Sequence, residues 1–552
     1  MTVVNLAASS FSTTGSISAS SNSLTVASAS GLSVNDYVII EIGGESGAGA
    51  RGTVGVGGTW PDLSYATVAA MNADTSKSNG QYAYVVATGD VYRYLSSVWT
   101  AENPVTQYYT AKVIPRSLAA KITAKSGNVL TLDHTATVST ANANVYFDNY
   151  PLFLAHGADP ADTEIVWPSG TFALSDVCVA LDKDNWYIHG AGKTLTELFF
   201  PKGIAGVALI KCAGFGSNNR VSDLCVRGNA GDEGFMMAWL NGSQLDARYQ
   251  FGIQFEQIAT GSITDTKSID VFQGGVEVAF SGDISVYRHD AYLTVGLKCY
   301  IAWLIQGIDS NNGTFVDCTV TSNDLTQGIE WFRSTDVSII NYGGTNAVMS
   351  LNTVDRWTIT SPTVTIESNS QRDEASFSNS NAILVVSDII GGGSVANGGT
   401  LTNPTFVQQG YINSDNDSLR GIIIDTLCPN VTVSGGSYTA PDYASPSTLN
   451  GPQGLVSDGT NTNVSCFTCY GQIKSGTPSV SLSNIGVDKG SISYCRAGSI
   501  YGTPGTVTLT GNGLTSDPQN PFCTGIASAP RFNRNRGKQT HIYSPGAWTY
   551  GR

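Results

Sequence analysis

Apolar and polar residues alternate in a loose repeat that runs from about Gly252 to Cys495. A short strand-like phrase, usually opened by Gly, is followed 8 or 9 residues later by a second phrase. Such self-similarity predicts a solenoid, in which each coil buries its apolar residues by stacking on its neighbours. The first phrases are GIQF (252–255), GVEV (275–278), YIAW (300–303), GIEW (328–331), AVMS (347–350), ILVV (383–386), GIII (421–424) and GLVS (454–457). The second phrases are DISVY (283–287), DVSIINYGG (336–344), RWTIT (356–360), NVTVSGGSY (430–438) and NVSCFTCYG (463–471).

Aligning the first phrases separates inward from outward positions, because successive side chains of a strand point to opposite faces. Ile253, Val276, Ile301 and Ile329 form one expected inward stack, and Phe255, Val278, Trp303 and Trp331 form a second. The residues between them, Gln254, Glu277, Ala302 and Glu330, are then expected to face outward in single file.

The remaining pattern divides the chain into three parts. Residues 1–155 are rich in strand-like segments, with an inserted module at about 60–107 that includes a short helix and a hairpin. Residues 156–510 hold the repeats. Residues 511–552 are irregular and are expected to form a cap or a trimer-contact tail.

Composition supports strands and tight turns and excludes several functions. Charged residues make up 13% of the chain and there are 61 glycines. The net charge of −14 argues against nucleic-acid binding, since no basic stripe is available to displace phosphate counterions. No apolar run is long enough to cross a membrane, and the N-terminus lacks the features of a signal peptide.

The ten cysteines do not resemble a secreted disulfide scaffold. Most lie in strand phrases, where a thiol acts as a small buried hydrophobe. Cys466 and Cys469 form a single CxxC, which solenoid packing explains better than zinc or redox chemistry. We therefore expect no metal and no other cofactor, and synthesis in a reducing cytoplasm.

The outward file suggests paired-carboxylate catalysis. Glu277 and Glu330 are separated by one intervening coil, so their backbones should lie about 9.6 Å apart. Inverting glycosidases hold their two carboxyl groups about 6.5–9.5 Å apart, which leaves room for a water molecule. One carboxyl would be the acid and the other the base, and Glu256 could replace either. The alternative is that both are ordinary solvated surface glutamates.

A second candidate lies in the phrase that follows. It adds Asp283 as a further candidate catalytic residue, and His289 with Tyr287 and Arg288 could support β-elimination on a uronate, with a base and a cation beside the substrate carboxylate. The alternative is a turn with a satisfied histidine, and no acidic cluster with calcium spacing accompanies it. Hydrolysis is therefore the favoured chemistry. Expected substrate contacts are Gln254, Arg288, His289, Tyr300, Tyr249 and Trp239.

Three phrases carry a family resemblance. PSGTFALS (168–175) and WYIHGAGKTLT (186–196) are similar to the opening of right-handed parallel β-helix proteins of the pectate-lyase-like class. GGTWPDLSYATV (57–68) resembles the lead-in regions of bacteriophage tailspikes and capsule depolymerases. The resemblance implies an all-β, right-handed parallel β-helix in a homotrimer. No long C-terminal trimerisation domain and no virion-binding dome is evident, which departs from the usual tailspike pattern.

The same resemblance implies a function. Such tailspikes bind and cleave bacterial capsular or O-antigen polysaccharide, attach to phage tail proteins through the N-terminus, and act from the virion at the bacterial surface. The sequence therefore predicts an endo-acting glycoside hydrolase made in the host cytoplasm. The alternatives are a polysaccharide lyase on the same fold and a non-enzymatic glycan-binding adhesin.

Overall fold

The structure is a computed structural model that consists almost entirely of β-strands. It describes residues 1–41, 43, 63–65, 67–74, 82–85, 90–95, 98–101, 117–202, 204, 208–228, 239–240, 243–244, 251–271, 274–294, 304–367, 382–387, 398–409, 420–425, 427–439, 453–457, 462–465, 467–469, 472–475, 481–483, 485–487, 490–493, 496–497, 500–502, 507–510, 541–544 and 547–550.

The elements up to residue 154 are β1 (Thr2–Asn5), β2 (Ser12–Ile17), β3 (Ser23–Val26), β4 (Tyr37–Ile40), β5 (Leu63–Tyr65), α1 (Val68–Ala73), β6 (Tyr82–Val85), β7 (Asp90–Leu95), β8 (Val98–Ala101), β9 (Leu118–Ser126), β10 (Val129–Leu132), β11 (Thr140–Phe147) and α2 (Tyr150–Leu154). They are followed by β12 (Thr163–Val166), β13 (Gly170–Ala173), β14 (Cys178–Leu181), β15 (Tyr187–His189), β16 (Thr196–Phe199), β17 (Ala208–Ala213), β18 (Asn219–Ser222), β19 (Cys225–Arg227), β20 (Trp239–Leu240), β21 (Ser243–Gln244), β22 (Phe251–Glu256), β23 (Thr260–Thr264), β24 (Lys267–Ile269), β25 (Gly274–Ala279), β26 (Asp283–Tyr287) and β27 (Asp290–Leu293).

The later strands are β28 (Ile305–Ile308), β29 (Thr314–Val316), β30 (Thr319–Phe332), β31 (Ser338–Ile340), β32 (Gly343–Asn352), β33 (Thr358–Thr360), β34 (Thr363–Ile366), β35 (Ala382–Ser387), β36 (Thr400–Thr402), β37 (Thr405–Gln408), β38 (Arg420–Ile424), β39 (Thr432–Ser434), β40 (Ser437–Thr439), β41 (Gln453–Ser457), β42 (Asn463–Ser465), β43 (Thr468–Cys469), β44 (Gln472–Ser475), β45 (Ser481–Ser483), β46 (Ile485–Val487), β47 (Gly490–Ser493), β48 (Arg496–Ala497), β49 (Ile500–Gly502), β50 (Val507–Thr510), β51 (His541–Ser544) and β52 (Ala547–Tyr550).

The chain divides into two compact units. The first comprises Met1–Gln254, Asp265–Val276 and Leu293–Tyr300, and the second comprises Phe255–Thr264, Glu277–Tyr292 and Ile301–Arg552.

The first unit contains a small closed barrel. Strands β10, β3, β2, β11, β4 and β9 close it, and their pairings are antiparallel. Alternating apolar side chains, among them Leu24, Val38, Ile122 and Val145, fill its interior. A separate sheet holds β5 to β8, in which β6 and β7 pair as a hairpin near α1.

The first unit also contains coils of parallel strands. The N-terminal strand β1 belongs to one of their ladders, because it pairs in parallel with β12. In the same ladder β12 pairs with β15, and β15 pairs with β18. Helix α2 follows the last barrel strand, and the buried Asn149 before it fixes this junction. Its Nδ2 donates to the Ser9 carbonyl (3.0 Å) and the Ala173 carbonyl (3.3 Å), and its Oδ1 accepts from the Ser9 amide (2.7 Å).

The second unit is built of coils with three strands each, which form three parallel ladders. Face 1 is the ladder β23-β26-β29-β31-β33-β36-β39-β42-β45-β48. Face 2 is β27-β30-β32-β34-β37-β40-β43-β46-β49, and face 3 is β25-β28-β30-β32-β35-β38-β41-β44-β47-β50. The long strands β30 and β32 run through both of the last two faces. These ladders confirm the predicted parallel β-helix.

The sequence phrases correspond to two of the three faces. The first phrases GVEV, GIEW and ILVV lie in face 3, and the second phrases DISVY and RWTIT lie in face 1. Face 2 lies between them in each coil, so a repeat has three strands rather than two phrases.

The predicted inward stacks are confirmed where the structure describes them. Ile253, Val276, Ile329, Phe255, Val278 and Trp331 are all 0% exposed. Ile301 and Trp303 lie outside the described residues. The strand that pairs with β30 is instead β28, whose Ile305 aligns with Ile329 and whose Gly307 aligns with Trp331. The predicted register of this coil was therefore wrong by four residues.

Packing of Trp331 explains the true register. Its indole stacks on Phe315 with a centroid distance of 4.4 Å, and lies against two glycines. A Cβ on Gly307 would lie 1.9 Å from Trp331 Cε3, and a Cβ on Gly313 would lie 2.0 Å from Cη2. Only glycine fits beside such a ring, so a tryptophan at the position of Gly307 would clash.

The five cysteines whose side chains the structure describes are buried thiols without disulfides, as the strand phrases indicated, namely Cys178, Cys212, Cys225, Cys318 and Cys428. Cys225 and Cys318 are 4% and 1% exposed, and burial raises the pKa of each thiol to about 12. Cys466 lies outside the described residues. The proposed domain boundaries and the C-terminal cap stay predictions.

Candidate active site

A file of polar side chains crosses the outer surface of face 3 in the second unit. Gln306 aligns with Glu330, and Glu330 aligns with Ser350. Glu277 extends the file by one coil, because β25 pairs with β28 and Phe280 N donates to Ile308 O (2.9 Å). We call Glu277, Gln306, Glu330 and Ser350 the carboxylate file. Gln306 occupies the place that the sequence had given to Ala302, which lies outside the described residues.

Glu330 is held by three donors from neighbouring coils. Gln306 Nε2 donates to Oε2 (3.0 Å), while Ser350 Oγ (3.0 Å) and Asn352 Nδ2 (2.6 Å) donate to Oε1. Ser387 Oγ donates to Asn352 Oδ1, which turns the amide NH₂ of Asn352 towards Glu330. The carboxyl group is therefore fixed in one orientation by side chains of three other coils.

Burial dominates the electrostatics of Glu330. The residue is 2% exposed, and its desolvation raises the pKa from the usual 4.5 to about 7, although the three hydrogen bonds act in the opposite direction. A carboxyl with such a pKa is partly protonated at neutral pH and can donate a proton to a leaving oxygen. The interpretation as a solvated surface glutamate is wrong for Glu330.

Glu277 occupies one end of the carboxylate file. It is 8% exposed, and Gln306 lies between it and Glu330. Two coil steps place the backbones of the two glutamates about 9.6 Å apart. This spacing is close to that of an acid and a base with a water between them.

The structure places three other predicted residues away from the carboxylate file. Asp283 is exposed on face 1, where its Oδ1 accepts from Asn312 Nδ2 (2.8 Å). Arg288 is exposed at the end of face 1 with φ 52°, and His289 is 0% exposed. The prediction that Arg288 and His289 act together on a substrate is wrong, because the corner between faces 1 and 2 leaves Arg288 exposed and buries His289.

The other predicted residues are partly described. Glu256 is half-buried at the end of β22, and Gln254, which belongs to the first unit, is 8% exposed in the same strand. Trp239 lies in β20, but its side chain is outside the described part of the chain, as are Tyr249 and Tyr300. Their assignments stay predictions.

Sequence reasoning missed the residues that surround Glu330. Gln306, Ser350, Asn352 and Ser387 come from coils whose loops differ in length. Ser350 was not detectable from the aligned phrases, since AVMS places Met349 in the position of Glu330, and a register shift within β30 brings Ser350 there instead. The register that brings Gln306 into the file depends on Gly307.

Among the described residues, no group of three or more His, Cys, Asp or Glu is arranged to hold a metal ion. No helix in that part of the chain is long and apolar enough to cross a membrane.

Comparisons with known proteins give likenesses of fold. No protein-family model and no curated protein matches the chain. Similar solved structures include the A-module of a mannuronan C-5 epimerase from Azotobacter vinelandii, at 14% identity and TM-score 0.42, covering 65% of this chain and 91% of that one. A DFA-IIIase from Arthrobacter chlorophenolicus matches at 13% identity and TM-score 0.44, covering 64% of this chain and 92% of that one. The ORF18 protein of Geobacillus virus E2 matches at 10% identity and TM-score 0.31, covering 88% of each. At these values the likenesses carry no conclusion about chemistry.

Proposed function

We propose that this protein is a phage tailspike that binds bacterial capsular or O-antigen polysaccharide and hydrolyses its glycosidic bonds with Glu277 and Glu330. The observation that carries the proposal is the carboxylate file, in which two glutamates on one outer surface are separated by a single coil. The sequence phrases similar to phage tailspikes support the particle context.

One glutamate of the pair is suited to act as the acid, and the other is placed to act as the base. Glu330 is the general acid, because burial raises its pKa to about 7. It donates its proton to the glycosidic oxygen while the bond from that oxygen to the anomeric carbon breaks. Glu277 accepts a proton from the water that attacks the anomeric carbon from the opposite side, so the configuration is inverted.

The protein's assembly and location are part of the proposal. It forms a homotrimer, attaches to phage tail proteins through its N-terminal part, and acts from the virion at the bacterial surface after synthesis in the host cytoplasm. Light scattering of the purified chain tests the trimer directly.

One observation favours a second candidate, a glycan-binding adhesin that does not cut. Glu330 is 2% exposed and both of its oxygens already accept hydrogen bonds from the protein. In an adhesin, this network would only hold face 3 in shape.

Activity on a panel of capsular and O-antigen polysaccharides tests the proposal. Wild type should release oligosaccharides that carry one added water per cut, detected by mass spectrometry. Glu277→Gln and Glu330→Gln should each lower the rate roughly 10²- to 10⁴-fold, because each removes a proton-transfer group. Glu164→Gln is a matched control, since Glu164 is an outward carboxylate of the first unit that pairs with His189 (2.9 Å).

The outcomes separate the candidates. Undiminished cleavage in both variants would rule out the Glu277 and Glu330 assignment. Unsaturated products, recognised by their ultraviolet absorbance, would show a lyase. Binding without cleavage by wild type would favour the adhesin.

A further inference from the structure

The corners that follow strands β22, β25, β28, β30 and β32 each contain one residue with a left-handed backbone. The residue in this conformation is Gln257 (φ 59°), Phe280 (φ 51°), Asp309 (φ 47°), Arg333 (φ 45°) or Thr353 (φ 56°). Each donates its amide to the last carbonyl of the next strand, as Phe280 does to Ile308 and Asp309 to Phe332, both at 2.9 Å. The corner conformation is therefore imposed by the coil and not by the residue.

Phe280 is an unusual choice for this position. Left-handed backbone is costly for a bulky side chain, whereas Asn and Asp tolerate it. Burial does not offset that cost, because Phe280 is 54% exposed. Residues kept in an unfavourable conformation cluster at functional sites.

The surroundings of Phe280 combine apolar and polar groups. Phe280 is three residues beyond Glu277, and the same corner of the next two coils holds Asp309 and Arg333, which form an ion pair (2.5 Å). Between this corner and the carboxylate file lie the half-buried Ile308 and Phe332, which align with one another. The Arg333 guanidinium lies 4.7 Å from the centroid of the Phe332 ring.

Such a surface matches the chemistry of a sugar ring. A pyranose has an apolar face that stacks on an exposed aromatic ring, and hydroxyl groups that bond to carboxylate and guanidinium groups. Polymer bound along the carboxylate file would pass beside this corner, which lies three residues, or about 10 Å of strand, from Glu277.

We propose that Phe280 is a sugar-stacking residue, which with Asp309 and Arg333 forms a glycan subsite beside the carboxylate file. The inference rests on the proposed function and names a residue that binds one sugar next to the bond that is cut. It also accounts for an aromatic side chain that is 54% exposed on a left-handed backbone.

Substitution of Phe280 separates binding from stability. Phe280→Asn places a residue that tolerates the left-handed backbone at the corner, so the melting temperature should stay the same or rise. Loss of the ring should weaken glycan binding roughly tenfold. Phe280→Tyr keeps the ring and should keep the affinity.

Binding is measured on an array of immobilised capsular and O-antigen polysaccharides, in a Glu277→Gln background so that the probe is not degraded. Phe215→Asn is the matched control, because Phe215 is 85% exposed in the first unit and has no left-handed backbone. It should leave binding unchanged.

The results discriminate between failure of this inference and failure of the proposed function. Array binding that survives Phe280→Asn would overturn the subsite alone, and so would a clear drop in melting temperature, which would make Phe280 a structural residue. An array on which the protein with Phe280 binds no polysaccharide would count against both proposals.

Discussion

Faces 1 and 3 of the second unit use the same pleated strands but carry different chemistry on their outer surfaces. The outer row of face 1 consists of hydroxyl side chains, namely Ser285, Thr314, Ser338, Thr358, Thr400 and Thr432. They are half-buried or exposed. The carboxylate file of face 3 contains Glu277, Gln306 and Glu330, none of which is more than 8% exposed.

The two faces differ in the free energy needed to remove their outer polar groups from water. Threonine fits a half-exposed strand and keeps its hydroxyl hydrated, so the hydroxyl row of face 1 involves little desolvation. A carboxyl group removed from water favours its neutral form, and the pKa of Glu330 is raised because this desolvation outweighs its three hydrogen bonds. A costly buried acid on an outer surface is where we expect chemistry, and a row of hydroxyls is where we do not.

The largest expected effect on stability concerns the pH dependence of Glu330. Its pKa is about 7 in the folded protein against the usual 4.5, a difference that corresponds to about 3 kcal/mol. Because the pKa of Glu330 is raised in the folded protein, its protonated form contributes fully to the free energy of unfolding below about pH 4.5. That contribution is lost as the pH rises to about 7. Glu330→Gln should abolish that loss, as measured by denaturant titrations between pH 4 and about 8.

Asp336→Asn is the control for this comparison. Asp336 is exposed, and its hydrogen bonds with Arg356 lower the pKa of its carboxyl group, so it stays ionised above pH 4.5. Its stability curve should run parallel to that of wild type across this window. Parallel curves for wild type and Glu330→Gln would contradict the buried, raised pKa.

A second prediction concerns the packing that sets the register of face 3. Gly307→Ala should lower the free energy of unfolding by about 1–3 kcal/mol, because its Cβ would overlap the Trp331 ring. Gly343→Ala is the control, since the nearest atom to a Cβ there is Thr319 Cγ2 at 3.5 Å. Equal stability of the two variants would show that Trp331 does not fix the register.

The smallest effect is expected on face 1. Thr402→Ala removes a half-buried hydroxyl that aligns with Thr360 and Ser434, and it should change the free energy of unfolding by about 0.5 kcal/mol or less. Polysaccharide cleavage should be unchanged. If Thr402→Ala lost as much cleavage as Glu330→Gln, the catalytic site would have to be assigned to face 1 instead of face 3.

The alternation of residues was sufficient to predict the parallel β-helix. Ile329 and Trp331 flank Glu330 in a strand of period two, and the same pattern in successive phrases requires coils that stack. It was not sufficient for the coil between Glu277 and Glu330, since YIAW and IQGI (305–308) have equally plausible patterns. Only the Trp331 ring against Gly307 distinguishes them, and that contact joins two coils.

The sequence by itself determined the fold and the outward direction of Glu277 and Glu330, because both follow from local alternation. The tertiary structure decided that Glu330 is desolvated and held by Ser350 and Asn352. It also decided that the side chain of His289 is fully buried. Burial and hydrogen bonding of a side chain depend on residues from other coils, whose registers vary with loop length. The environment that makes Glu330 an acid therefore exists only once the coils are stacked.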